Sequence, residues 1–188
     1  MKFRIKCIIS LLLVFRYIPH LISYVIHPIV REDVRFWQKC CGLKSNNLVA
    51  FLYFLTYFRE YRNVLYKRCY ISLIHKLLAP PLPSLYITTD RKNIGKGLFI
   101  HHGFATVISA KSIGEFCMVN QQVTIGYTAK GNPIVGNYAK ICAGAIVVGR
   151  PVHVGDNSIV AAGAIVVDDV PENSVVCSPK AKVVKKRQ

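Results

Sequence analysis

Two hydrophobic patterns divide the chain. From residue 1 to about 78, apolar and aromatic residues recur at helical spacings, most densely in "NNLVAFLYFLTYFREYRNVLYKRCYISLIHKLL". Asn46 or Asn47 is placed to cap that segment. "APPLPSLY" then ends the pattern, because Pro80, Pro81 and Pro83 cannot continue a helix, and a rigid linker is predicted there. Beyond it, an apolar β-branched residue returns about every six positions: Ile94, Ile100, Val107, Ile113, Val119, Ile125, then Val135, Ile141, Val147, and finally Val154, Val160, Val166. Gly often follows, as at Gly95, Gly114, Gly126, Gly136 and Gly155, and small residues such as Ala139, Ala145, Ser158 and Ala164 take the fifth place.

A period of six fits neither a helix nor a simple alternating strand. It fits a parallel β-helix, in which each short strand sends one side chain inward before the chain turns a corner. Glycine is expected at the corners for its freedom in φ and ψ. The phase slips by one residue after Ile100 and again after Val147, and the ten-residue step from Ile125 to Val135 predicts a protruding loop. A sandwich of short strands is the competing arrangement, and it gives no reason for consecutive six-residue steps. The prediction is therefore a mainly β protein with two regions. Residues 1–84 form a helical N-terminal region with the Pro-rich linker, and residues 85–188 a parallel β-helix with a C-terminal tail.

Charge changes the picture of the first region. The 188 residues carry 25 Lys and Arg against 9 Asp and Glu, a formal +16. Residues 1–93 hold 15 of the basic and only 4 of the acidic side chains. A field of that sign attracts phosphate, whether in nucleic acid, an anionic membrane or a charged ligand. No nucleic-acid-binding motif accompanies it, and the aromatics fall at helix-core spacing, so nucleic acid is not expected as a partner. The start, "MKFRIKCIISLLLVF", mimics a signal peptide but lacks an A-x-A-like cleavage site, and Arg16 and Pro19 interrupt it as a membrane span. Two readings remain open: a helix lying on a membrane surface beside Lys2, Arg4, Lys6 and Arg16, or one packed on its own protein. The seven cysteines are odd in number and form no CxxC or Cys/His cluster, so neither a disulfide framework nor a metal site is expected. A reducing cytoplasmic setting is the expected location, with peripheral contact at the inner membrane surface under the first of these two readings.

The stretches "IGKGLFIHHG", "QQVTIGYTAKG", "IVGNYAKICAGAIVVG", "VGDNSIVAAGAIVVDDVPENSVV" and "SPKAKVV" resemble the hexapeptide-repeat acyltransferases, in the serine O-acetyltransferase-like branch. "YFREYRNVLYKR" and "PPLPSLYI" are similar to segments of branch members linked to surface polysaccharide synthesis. The resemblance implies that the β-helix is left-handed, that it forms a homotrimer with acetyl-CoA bound in clefts between copies, and that His102 is the general base. Imidazole titrates near neutrality, so it can take a substrate hydroxyl's proton and return it to the CoA sulfur. It also implies a cofactor side made by Gly126, Tyr127, Ala143, Gly144, Ala162, Gly163 and Lys182. His101, Asn120 and Gln122 are assigned to the acceptor side. The amides of Asn120, Gln121 and Gln122 are read either as partners of the reaction or as a polar ladder on the coil surface.

Three departures from the branch bear on the acceptor. Ile87 stands where an Asp would orient the base, with Asp90 out of register; His101 replaces an Asp; and the loop whose Arg would grip a serine carboxylate is shortened to "KGNP", residues 130–133. An amino acid needs partners for both its charges, whereas a sugar hydroxyl does not. The expectation is acetyl-CoA-dependent O-acetylation of a sugar or polysaccharide precursor, the alternative being serine O-acetylation. A trimeric β-helix scaffold without catalysis is a reading from a different class.

Overall fold

The computed structural model describes residues 2–69, 72–129, 131–149 and 151–179. Among the described residues, six α-helices come first: α1 Lys2–Leu12, α2 Ile18–Ile26, α3 Pro28–Cys41, α4 Asn47–Tyr57, α5 Arg59–Arg68 and α6 Leu73–Leu78. Asn46 is the cap, its side chain accepting from Val49 N at 2.8 Å, and Asn47 opens α4. The long apolar segment is broken because side chains terminate it. Arg62 donates to the last carbonyls of α4, Leu55 O at 2.7 Å and Thr56 O at 2.9 Å, and also to Pro80 O. Asn63 clamps the linker, donating to Leu82 O and Leu85 O while accepting from Leu82 N. α3 ends at Gly42 in a left-handed turn, φ 63°, with Leu43 N bonded back to Gln38 O.

Among the described residues, thirteen short strands follow and wind as a left-handed parallel β-helix of about five coils. The first face is β1 Leu85–Ile87, β3 Thr106–Ile108, β6 Thr124–Ile125, β9 Ile146–Val147 and β12 Ile165–Val166. The second is β4 Ser112–Ile113, β7 Ile134–Val135 and β10 His153–Val154. The third is β2 Phe99–His101, β5 Met118–Asn120, β8 Lys140–Ile141, β11 Ile159–Val160 and β13 Val175–Val176. All ladder pairs are parallel, and inward residues stack coil on coil, as Ile100, Val119 and Ile141 do.

Two expectations are corrected. The glycines that follow inward residues do not sit in the left-handed region; Gly95, Gly114, Gly136 and Gly155 are required by closeness. A Cβ on Gly95 would lie 2.6 Å from the carbonyl of Gly114, and one on Gly155 2.4 Å from Glu172 N. Stacked corners leave no room for a side chain. The second correction concerns Val107. Thr106 and Ile108 are the buried residues of β3, and Ile108 registers with Ile87 and Ile125, while Val107 faces outward. Eight positions therefore separate inward Ile100 from Ile108, where six separate Val119 from Ile125. The corner after β2 carries a two-residue insertion, not one.

The helices and the β-helix share a single buried core. Trp37 donates to Leu98 O at 2.8 Å and packs edge-on against Phe99. Asp33 of α3 and Arg68 of α5 form a two-pronged ion pair, 2.8 and 3.1 Å, with both side chains 2% exposed. Arg68 donates further to Ile94 O and Gly95 O, and Asp33 accepts from Gly97 N. This network ties α3 and α5 to the first coil.

Candidate active site

The corner between the third and first faces brings most of the expected site residues into one column. His101–His102 head it; Asn120–Gln122, Ala143–Gly144 and Ala162–Gly163 follow, one coil each. Backbone bonds run down it: Gln122 N to Phe104 O, Gly144 N to Gln121 O, and Gly163 N to Ala143 O, each 2.9–3.1 Å. Ser178 closes the column, its hydroxyl donating to Gly163 O.

The two-residue insertion falls at the head. His102 takes φ 64° and Gly103 φ 30°, and Phe104 N bonds back to His102 O, so the chain doubles over at the histidine. His102 is exposed there, its ring centroid 4.0 Å from that of His101. His101, the last residue of β2, lies parallel to Phe99 and registers with Asn120 on the next coil. Asn120 is thus the amide beside the histidine pair. Gln122 is exposed one coil below, with φ 58°. Gln121 turns inward, and its side-chain oxygen is buried without a hydrogen-bond partner among the described residues.

The sequence reading missed Glu60. No carboxylate stands at position 87, but Glu60, in the first turn of α5, comes to the same corner. A Cβ on Gly103 would lie 3.2 Å from Glu60 Cβ and 2.9 Å from Ile100 Cγ2, so glycine is required there by both crowding and φ. Burial and the neighbouring His102 imidazole hold His101 below its usual pKa of 6.5, while Glu60 pulls it upward.

The lower column is open. Nothing lies within 4 Å of where a Cβ on Gly163 would stand, and near Gly144 only Gly163 N, at 3.9 Å. Both have φ close to 70°. The edge is flat backbone lined by small residues. It also carries no charged side chain between His101 and Pro179 at any of its corner positions. Gly126 and Tyr127 are not part of it. They lie on the corner between the first and second faces, with Tyr127 72% exposed. Lys182 lies outside the described residues, as does Lys130 of the shortened loop. Among the described residues, no group of three or more His, Cys, Asp or Glu side chains is placed to hold a metal ion.

A helical cap on a coil of six-residue repeats, with a histidine at a corner insertion above a small-residue edge, defines a hexapeptide-repeat protein of the serine acetyltransferase type. The chain belongs to the family of acetyltransferases that includes the serine acetyltransferases and WcaB. It is 34% identical over 126 residues to the Escherichia coli acetyltransferase WcaB, assigned to colanic acid biosynthesis, covering 60% of this chain and 77% of that protein. It is 39% identical over 98 residues to the serine acetyltransferase of Helicobacter pylori, and 35% over 96 to that of Synechococcus elongatus. The matches cover 50% and 48% of this chain, and 57% and 39% of those proteins. Among solved structures, Neisseria gonorrhoeae serine acetyltransferase in complex with serine shares the fold, with TM-score 0.58 and 21% identity over 81% of this chain and 66% of that one. Entamoeba histolytica serine acetyltransferase isoform 3 in complex with cysteine does so with TM-score 0.57 and 21% identity, over 85% and 60%. No family model matches the chain.

Proposed function

We propose that the chain transfers an acetyl group from acetyl-CoA to a hydroxyl of a sugar or polysaccharide precursor, with His102 as general base. The observation that carries this is the inserted corner, which holds His102 outward at the head of an open edge of small residues. That edge fits a pantetheine arm. Ala143, Gly144, Ala162 and Gly163 let a narrow chain lie against the backbone and exchange hydrogen bonds with it, which larger side chains would prevent. The thioester would then end at the histidine corner.

The reaction balances within these groups. The acceptor hydroxyl gives its proton to His102 as its oxygen attacks the thioester carbonyl. The tetrahedral intermediate collapses, the C–S bond breaks, and the imidazolium returns the proton to the departing sulfur. Asn120, beside His101, is placed to orient the acceptor. Glu60 favours the protonated form of the neighbouring His101 against burial.

The uncharged edge favours a neutral acceptor. A carboxylate bound there would find no cation at these corners and would face Glu60. The longer match to WcaB, 126 residues, points the same way. Serine is the second reading, supported by the H. pylori relative and by the fold shared with the serine-bound N. gonorrhoeae enzyme. Release of CoA thiol with L-serine, nucleotide-linked and lipid-linked sugars as acceptors separates the two. The sugar reading predicts turnover with a saccharide and none with serine.

A trimer completes the reading. The outer side of the first face stacks Tyr86, Val107, Thr124, Ile146 and Ile165 in register, a largely apolar strip one residue per coil. Ile165 is 65% exposed. Packing such strips around a threefold axis would bury them, and would let the Tyr127 corner of one copy approach the histidine edge of another.

A further inference from the structure

We infer that α1, α2 and α6 form one surface that seats in the headgroup region of an anionic lipid bilayer. The helices are amphipathic in the inverted sense. On α1, Ile5, Ile8, Ile9 and Leu12 fall at i, i+3, i+4 and i+7, and all point to solvent. On α2, Ile18, Ile22 and Val25 do the same, as do Leu73 and Leu77 on α6. Phe15, at the bend between α1 and α2, is 80% exposed. Polar side chains share the inward positions with Tyr17, Leu21 and Tyr24: Ser10 and His20 are fully buried, and Ser23 nearly so. A helix that meets only water turns the other way round. α6 joins the same surface, since Arg16 reaches Leu78 O, and the His75 ring lies 4.9 Å from that of His20.

Charge selects the occupant. Residues 1–31 and 61–89, which include all three helices, contain no Asp or Glu. Lys6 and Arg16 border the apolar stripes on α1 and the bend, and Lys76 lies exposed on α6. A second copy placed face to face would set these cations against one another with no carboxylate to pair them. Anionic headgroups supply the missing charge, each basic residue near such a surface contributing about 1 kcal/mol. The helices lie in the plane rather than cross it. Among the described residues no single helix is long and apolar enough to span, and the α1–α2 pair, apolar enough together, is bent by 62°. α1 alone reaches about 16 Å, half a bilayer core.

The test is co-flotation of the full chain with vesicles. Wild type should float with phosphatidylcholine–phosphatidylglycerol vesicles at low salt, less with phosphatidylcholine alone, and less again as salt rises. The variant Leu12→Asp/Phe15→Asp, altered only at exposed positions and checked for an unchanged unfolding transition, should lose vesicle affinity by at least about tenfold. Lys6→Glu/Lys76→Glu should lose the preference for the anionic lipid. Wild type left in solution with anionic vesicles at low salt would overturn the inference. So would a Leu12→Asp/Phe15→Asp variant that floats like wild type, or one whose only change is a smaller oligomer. The inference does not depend on which acceptor is used.

Discussion

Gly103 shows what one position has to satisfy. Its φ is unsuited to most side chains, Ile100 and Glu60 crowd it from two directions, and it releases His102 from the coil. The same crowding sets Glu60 beside the histidine pair, where it raises the His101 pKa against burial and the neighbouring imidazole. Glu60→Gln removes the one influence that favours the protonated ring. The His101 midpoint, followed by NMR, should fall further below 6.5, so that the ring charges only at more acidic pH. An unchanged or higher midpoint would contradict the assignment. The family resemblance pointed to His102 and the small residues beneath it, and the repeat sets them one coil apart at one corner. The sequence could not name Glu60, which lies some forty residues away on a helix with no periodic relation to the coils. Nor could it place the insertion correctly. Val107 and Ile108 are both β-branched and adjacent, so either fits the inward position until the register is known.

At the scale of elements, the helical region is joined to the β-helix by buried polar groups as well as by packing. The sequence presented Arg62 and Arg68 as part of a positive field. Both are buried: one finishes α4, and the other pairs with Asp33 and holds the Gly95 corner. Their role was illegible because a basic residue on an amphipathic helix reads as solvated until its partners are located. Breaking the pair leaves a charge stranded in the core. Asp33→Ala should lower unfolding free energy by about 3–5 kcal/mol in denaturant titration. It should also loosen α5, and Glu60 with it. A loss below ~1 kcal/mol would show that the pair adds little to the joint. The glycines that follow inward residues teach a related point. Their recurrence was visible, and the expected cause was φ; the actual cause is coil-to-coil approach.

For the whole molecule, the β-helix was legible because a six-residue period has few structural solutions, and the family through the motifs that resemble it. Assembly was implied by resemblance, and the apolar strip on the first face gives it a physical basis. Ile146→Asp would place a charge at the middle of that strip. Light scattering should then report a single chain of 21.1 kDa where the wild type reports three. A wild type that is already monomeric, or a variant still trimeric, would exclude the strip as the interface. The acceptor is less legible, since the loop whose Arg would grip a serine carboxylate is shortened in this chain to residues 130–133.

The central claim is that His102 works as a base at the head of the small-residue edge. Its most direct test is CoA thiol release from acetyl-CoA with a panel of saccharide and serine acceptors, comparing wild type with His102→Ala. The account predicts saccharide-dependent release that falls by 10²–10⁴-fold in the variant, with assembly and unfolding transition unchanged. Release that persists at the wild-type rate in a correctly assembled His102→Ala protein would contradict it.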